Sequence, residues 1–439
     1  MGTGDCAVGS HIGDAQAGLS ATMATSSSMQ AEREFDLVVH GATGFTGRQA
    51  AAYVAKHAPP GLRWAISGRS QTRLEAVRTG LEGAAQTVSV LVADSHDAVA
   101  VDALARRTRV VLTTVGPYAK YGTALLAACA AAGTHYVDIT GETPWVRDMI
   151  DVHHETAIQT GAVLVPFCGF DSVPSDLGTW MMVDWVRRNR ECGTRSVRTG
   201  FRMRGGVNGG TMDSALTMAE QGVQRSMGHP FLLNPKEGRG GPGRVGAEHA
   251  DPVSPWRDDQ MGGRGRWLAP FFMAPVNTRV VRRSAAIWSL RGQAYGEAFV
   301  YREGMQVRSR LQGFGVATGL AMGVGLLSMR AGRALTRRIA PAVGQGPSEA
   351  TMDGGFFETA LVAEAEDDTT VLGRIRGEGD PGNRSTVRML CESAFCLTTD
   401  FARLPAAVHG GGVWTPATAM GPVLLERLRQ TGMVWEVLD

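Results

Sequence analysis

Three glycines at a spacing of three, Gly41, Gly44 and Gly47, follow directly on the apolar run Phe35 to Val39, and an alanine-rich stretch from Gln49 to Lys56 follows them. A strand, a glycine turn and a helix in that order aim the free N–H groups of the helix start at whatever lies over the turn, which favours an anion. Glycine at 41 allows the tight turn, at 44 the close approach of a pyrophosphate, and at 47 the packing of helix on sheet. This is the layout of a dinucleotide-binding turn, and Thr43, Phe45 and Thr46 within it join the candidate cofactor contacts. With 57 glycines in 439 residues the triplet alone decides little. The flanking strand and helix carry the reading.

The next strand, Arg63 to Ser67, ends in Gly68-Arg69-Ser70 before a helix predicted over Gln71 to Leu81. A site for NAD places a carboxylate there to take the ribose hydroxyls. Ser67, Arg69, Ser70 and Arg73 suit a 2′-phosphate instead, since a guanidinium is a planar, permanently charged fork, so NADP(H) is the expected cofactor and a solvent-facing basic cluster the alternative. Val88 to Ala93 reads as a third strand, with Asp94 at its end beside the adenine. Arg109 to Val115 reads as a fourth and stops at Gly116-Pro117-Tyr118. Ligands lie at such strand ends, so Gly116 and Pro117 are expected under the nicotinamide and Tyr118 near the hydride-transfer point; a strand-ending turn with a packed tyrosine explains the same residues.

The elements that position these residues alternate. Helices are predicted over Asp97–Arg107, Tyr121–Ala132 and Thr143–Thr160, and strands over His135–Ile139 and Ala162–Phe167. Six strands in βαβ alternation predict an α/β chain whose N-terminal part is a Rossmann-type, doubly wound parallel sheet over residues 35–190. Cys168 to Gly178 is polar and turn-forming. Ser172 or Ser175 can cap a helix Asp176–Arg188, while Asp171 is read either as a carboxylate satisfied by backbone N–H groups or as a catalytic acid. Beyond it, strands over Ser196–Met203, Phe356–Ala365 and Thr370–Gly377 and helices over Thr211–Met227, Ser385–Leu397 and Pro416–Gln430 predict a second, α+β domain over 191–439 for substrate and dimerisation. Residues 234–265 form a Gly-, Pro- and Arg-rich insertion read as a loop or lid. The turn at Asp380-Pro381-Gly382, with Asn383 and Arg384, faces the cleft or is simply tight.

Residues 311–329 carry no charge and are bracketed by Arg308, Arg310, Arg330, Arg333, Arg337 and Arg338. Nineteen residues just suffice to cross a bilayer, but glycine lowers the apolarity. Three readings stay open: a helix lying on a membrane or lipid surface, a true span, and a buried or homodimer-interface helix.

Composition narrows the rest. With 44 basic against 42 acidic residues, the net charge of +2 excludes a global nucleic-acid binder. Six scattered cysteines without metal spacing read as reduced thiols of a cytoplasmic protein, peripheral on a membrane or lipid surface if 311–329 attaches. No metal site is expected, and His153-His154 reads as solvated. Residues 1–34 resemble no signal peptide and are expected to be a disordered tail, with Met23 and Met29 as alternative starts.

Gly41-Ala42-Thr43-Gly44-Phe45-Thr46-Gly47, Ser67-Gly68-Arg69, Val115-Gly116-Pro117-Tyr118, His135 to Glu142, Gly169 to Asp176, Gly379 to Thr386 and Gly411 to Gly421 together resemble the saccharopine dehydrogenase-like oxidoreductases. The likeness is greatest to the branch holding the mycobacterial trans-acting enoyl reductases and an animal lipid-droplet member. It implies a Rossmann NADP domain followed by an α+β domain, and reduction of an enoyl group on a lipid or polyketide precursor, carrier-bound or free, in complex (glyco)lipid biosynthesis. In that chemistry Tyr118 is the candidate hydrogen-bond donor and Asp171 the second catalytic candidate. The alternatives are a saccharopine dehydrogenase-type amino-acid oxidoreductase and a non-catalytic NADP-binding protein of lipid surfaces.

Overall fold

The computed structural model describes residues 33–206, 208–222, 228–236, 247–261, 266–342 and 344–438. Residues 1–32 of the expected tail, both alternative start methionines, and residues 223–227, 237–246 and 262–265 of the predicted helix and insertion lie outside these.

The first sheet takes β1 (Phe35–His40), β2 (Trp64–Gly68), β3 (Ser89–Val92), β4 (Thr108–Thr113), β5 (His135–Val137) and β6 (Val163–Val165), all parallel, in the order β6-β5-β4-β1-β2-β3. The reversal of winding on either side of β1 is the doubly wound arrangement. β1 is central, with Leu37 paired to Trp64 on one side and Val110 on the other. Leu37, Val38 and Val39 are fully buried, as a strand covered on both faces requires. Helices Phe45–His57, Gln71–Thr79, Ala98–Arg107, Thr123–Ala132 and Thr143–Thr160 make the crossovers. Asp97 caps the third of them, accepting from the amides of Val99 and Ala100 at 3.0 and 3.1 Å. A seventh parallel strand, Gly412–Val413, joins beyond β6 from far down the chain. Its two residues are too short to carry a periodic signal.

The second sheet holds β7 (Thr194–Arg204), β8 (Trp256–Arg257), β9 (Trp267–Ala269), β10 (Val300–Val307), β11 (Phe356–Ala365), β12 (Thr370–Glu378) and, after β13 (Gly412–Val413), β14 (Val434–Leu438). Its order is β14-β12-β11-β7-β10-β9-β8, with only β7 and β10 parallel. Helices Val173–Arg190 and Thr386–Thr399 join the two sheets. One apolar core runs from Leu37 and Ile66 through Leu177, Met182 and Phe395 to Phe357 and Ile375. The second helix also braces the first sheet's crossover helix, where the Tyr53 hydroxyl donates to Glu392 at 2.8 Å.

Several elements differ from expectation for local reasons. The helix expected from Tyr121 starts with a separate turn, Tyr118–Tyr121, because the buried Glu142 carboxylate accepts the amides of Tyr118 and Ala119, both at 2.9 Å. The helix expected from Asp176 starts at Val173, and neither serine caps it. Ser172 donates to the Asn277 side chain and Ser175 to Glu303. Pro422 divides the predicted 416–430 helix into Pro416–Ala419 and Gly421–Gln430, since proline cannot continue the helical ladder. His154 is not solvated: its Nδ1 accepts from Val413 N at 3.0 Å, its ring meets Trp414 edge-on, and burial lowers its pKa to about 4.

The arginine-bracketed stretch is a helix, Arg310–Ser328, in which Gly313 alone is buried. The flanking β10 and β11 both pair with β7. A single crossing would place these two strands on opposite sides of a bilayer, which their shared pairing with β7 opposes, and with Gly313 alone buried the helix is not packed into this chain's core; the surface and homodimer-interface readings stay open.

Candidate functional site

The glycine turn is pinned from below. Gly41 N and Ala42 N donate to the Ser67 carbonyl at 2.8 and 3.1 Å, and Gly44 N donates back to Gly41 O at 2.9 Å. Gly41 holds φ +83°, and a Cβ at Gly47 would fall 2.0 Å from Gly41 O, so both positions require glycine. The helix Phe45–His57 then begins on Gly44 with no side-chain cap and no acidic residue in its first turn, which leaves its leading amides and positive dipole end for an anion. Thr114 Oγ1, buried beneath the turn, has no hydrogen-bond partner among the described residues.

Beside the turn, a cleft of about 390 Å³ opens between the 45–57 and 71–79 helices, lined by Thr43, Arg48, Arg73, Ala76 and Leu81 among others. The Arg48 and Arg73 guanidiniums converge on the Thr43 carbonyl at 2.9 and 3.4 Å. Exposed Arg69 stands at the end of β2, followed by half-buried Ser70. Two guanidiniums on one cleft, with Arg69 at the neighbouring strand end and an uncapped helix start beside them, fit a dinucleotide with a third phosphate on its ribose. Arg48 is not among the sequence candidates; it comes after the third glycine, on the helix face toward Arg73, which only the helical geometry reveals. Ser67 contributes its carbonyl and not its hydroxyl, which is turned onto buried His40 at 3.1 Å. His40 also meets Ser95 at 2.9 Å, and burial holds its pKa near 4, so it stays neutral. Half-buried Asp94 accepts from His96 N at 3.0 Å at the end of β3. The Phe45 ring is covered by Gly346, from the segment after the exposed helix; Thr46 is next to it in the first helical turn.

At the end of β4 the chain turns through Gly116 and Pro117, joined by a cis peptide. Glu142 holds the two residues after this turn by their amides, and its carboxylate also accepts from Ser214 at 2.9 Å on the helix Gly209–Gln221 of the second sheet's layer. In the sequence Glu142 is only part of a strand-ending break; three converging donors, two of them backbone, leave no spacing signal. Tyr118 requires a correction. Its hydroxyl points inward, donating to Thr113 O and accepting from Ile139 N, both at 3.3 Å, with its ring 5.6 Å from that of Trp145. Burial beside Asp138 raises the pKa of this phenol well above its ordinary value. The packed-tyrosine reading is the one the geometry favours.

Asp171 lies after β6 at the same carboxyl edge. It is half-buried and has no hydrogen-bond or ion partner among the described residues, and desolvation pushes its pKa up to about 6. A carboxyl in that condition can carry and release a proton near neutrality. The backbone-satisfied carboxyl on this edge is instead Asp138, which accepts from Thr140 N, Phe167 N and the Tyr136 hydroxyl. The 380–384 turn is a brace: Asp380 accepts from Arg384 N and Asn383, Asn383 accepts from Asn208, and Arg384 reaches Gln49 on the first crossover helix. No group of three or more metal-ligating side chains occurs among the described residues.

Residues 37–165 match the family model of the saccharopine dehydrogenase NADP binding domain. The chain is 39% identical over 421 residues to a putative trans-acting enoyl reductase of Mycobacterium tuberculosis, covering 91% of this chain and 97% of that one. It is 38% identical over 425 residues to the trans-acting enoyl reductase of Mycobacterium bovis, covering 92% and 98%. Among solved structures, saccharopine dehydrogenase (L-Glu forming) of Saccharomyces cerevisiae aligns over 92% of this chain and 99% of its own, with a TM-score of 0.50 and 11% identity, a likeness of fold.

Proposed function

This chain belongs to the saccharopine dehydrogenase-like family of NADP-binding oxidoreductases, alongside the trans-acting enoyl reductases, and from that premise we propose that it reduces the carbon–carbon double bond of an enoyl thioester on a hydrophobic acyl or polyketide chain. The observation that carries the reading is Asp171, an unpartnered carboxyl with a pKa near 6 on the sheet edge where the Gly116–Pro117 turn also lies.

Saturating an enoyl thioester adds a hydride at the β-carbon and a proton at the α-carbon. When bound, NADPH supplies the hydride. The uncapped helix start at Gly44 to Gly47 would hold the pyrophosphate, and Arg48 and Arg73 in the cleft, with Arg69 at the end of β2, would take the 2′-phosphate. Glu142 fixes the backbone of the nicotinamide-side turn through the Tyr118 and Ala119 amides. Asp171, protonated, delivers the α-proton as the charge on the thioester collapses.

The test is NADPH consumption by the full chain with enoyl thioesters of increasing acyl length. Turnover that rises with chain length and is lost in Asp171→Asn supports the proposal. Tight NADPH binding without turnover on any thioester leaves the non-catalytic, lipid-surface reading in its place.

A further inference from the structure

Residues 310–339 fold as a hairpin of two helices, Arg310–Ser328 and Arg330–Ile339. Arg333 closes the bend, donating to the carbonyls of Leu327 and Ser328, both at 3.0 Å. The first helix leaves the body at Gly313, which rests on Pro255 and Val307, and the second returns to the 209–221 helix through an ion pair between Arg337 and Glu220. Between those anchors little touches the hairpin. Gly315, Gly319, Gly323 and Gly325 have open space where a side chain would begin.

Its apolar residues are displayed, not packed. Leu311 is 82% exposed and Met322 70%, and at 100° per residue they share a sector of about 120° with exposed Phe314 and Leu326, while exposed Val324 stands outside it. On the second helix Leu335 and Ile339, an i,i+4 pair, are exposed as well. From 304 through 348 the chain holds six arginines and no acidic residue. Arg308, Arg330 and Arg338 have no acidic partner among the described residues.

We propose that this hairpin docks in the plane of an anionic lipid surface, with the apolar sector in the acyl boundary and the arginines among the headgroups. A broad apolar sector with a cationic surround is the pattern of an interfacial element. A second copy meeting the same face would bring Arg308, Arg330 and Arg338 up to their own counterparts with no acidic residue of the hairpin to offset them. The position of the 209–221 helix extends the inference: it contacts the hairpin at Glu220 and the nicotinamide-side turn through Ser214 and Glu142, so an acyl chain passing from the lipid to that turn would run along it. That extension rests on the function proposed above; the docking does not.

The experiment is co-sedimentation of the full chain with phosphatidylglycerol-containing vesicles and with pure phosphatidylcholine vesicles, alongside NADPH oxidation on a short, soluble enoyl thioester. Binding is expected to the anionic vesicles, weakening with salt. It should fall about tenfold or more in Leu311→Asp/Met322→Asp, and also in Arg330→Ala/Arg338→Ala, which should flatten the salt dependence as well. Both variants should keep NADPH binding and soluble turnover. Vesicle binding that is absent, or unchanged in both double variants, overturns the docking, as does a self-association abolished by Leu311→Asp/Met322→Asp without vesicle binding. A wild-type chain that turns over the soluble thioester but binds neither kind of vesicle sinks this inference alone. Docking without any turnover sinks the enoyl reductase reading and leaves the docking standing.

Discussion

The Ser214 hydroxyl donates to the Glu142 carboxylate at 2.9 Å, and through that carboxylate a helix of the second sheet's layer is tied to the Tyr118 and Ala119 amides of the first. One buried side chain thus sets both the backbone turn at the end of β4 and the approach of the helix above it.

Glu142→Ala should therefore destabilise the protein by about 2–4 kcal/mol, because the buried Tyr118 amide and the half-buried Ala119 amide lose their acceptor. Ser214→Ala removes one hydrogen bond at a half-buried site and should cost about 1 kcal/mol. Urea denaturation of both variants measures this; equal effects would mean that the backbone amides find other partners.

Cofactor choice should follow the guanidiniums. Arg69→Ala and Arg73→Ala should each weaken NADPH binding by about 1–3 kcal/mol, the worth of a charge-assisted contact, while leaving NADH binding almost unchanged. Fluorescence titration with the two nucleotides reads the ratio. A parallel loss for both nucleotides would place the arginines away from the 2′-phosphate.

Asp171→Asn should lower turnover about 10²- to 10⁴-fold with NADPH affinity kept. As the proton donor Asp171 must be protonated, so activity should be greatest below its pKa of about 6 and decline as pH rises through that value. A flat profile in the wild type between pH 5 and 8 would remove Asp171 from the chemistry.

Glu303 is fully buried, accepting from Ser175, Tyr301 and Asn277, and desolvation pushes its pKa up to about 7. A carboxyl raised on folding binds its proton more tightly in the native state. Its contribution is therefore whole below the unfolded value near 4.5 and is lost as pH rises toward 7. The loss is about 3 kcal/mol by linkage. Denaturant unfolding at pH 5 and pH 7 should show a smaller decline in Glu303→Gln than in the wild type.

By itself the sequence determined the wound parallel sheet, the glycine turn and the preference for NADP(H). These rest on local rules: strand and helix periods, the backbone freedom of Gly41 and Gly47, and an arginine where a ribose-binding carboxylate would stand. Most strands and crossover helices accordingly lie within a few residues of their predicted bounds. Only the tertiary structure decided where side chains far apart in sequence meet. It turned the Tyr118 hydroxyl inward, gave Glu142 its partner at Ser214, brought Gly412–Val413 back to the first sheet, and set Arg48 beside Arg73 in the cleft next to the glycine turn. It also decided the residue 311–329 stretch. Period and composition report how apolar a helix is, but whether it spans, packs or stands exposed depends on where its two ends are anchored, and here β10 and β11 hold both ends against the same strand, β7.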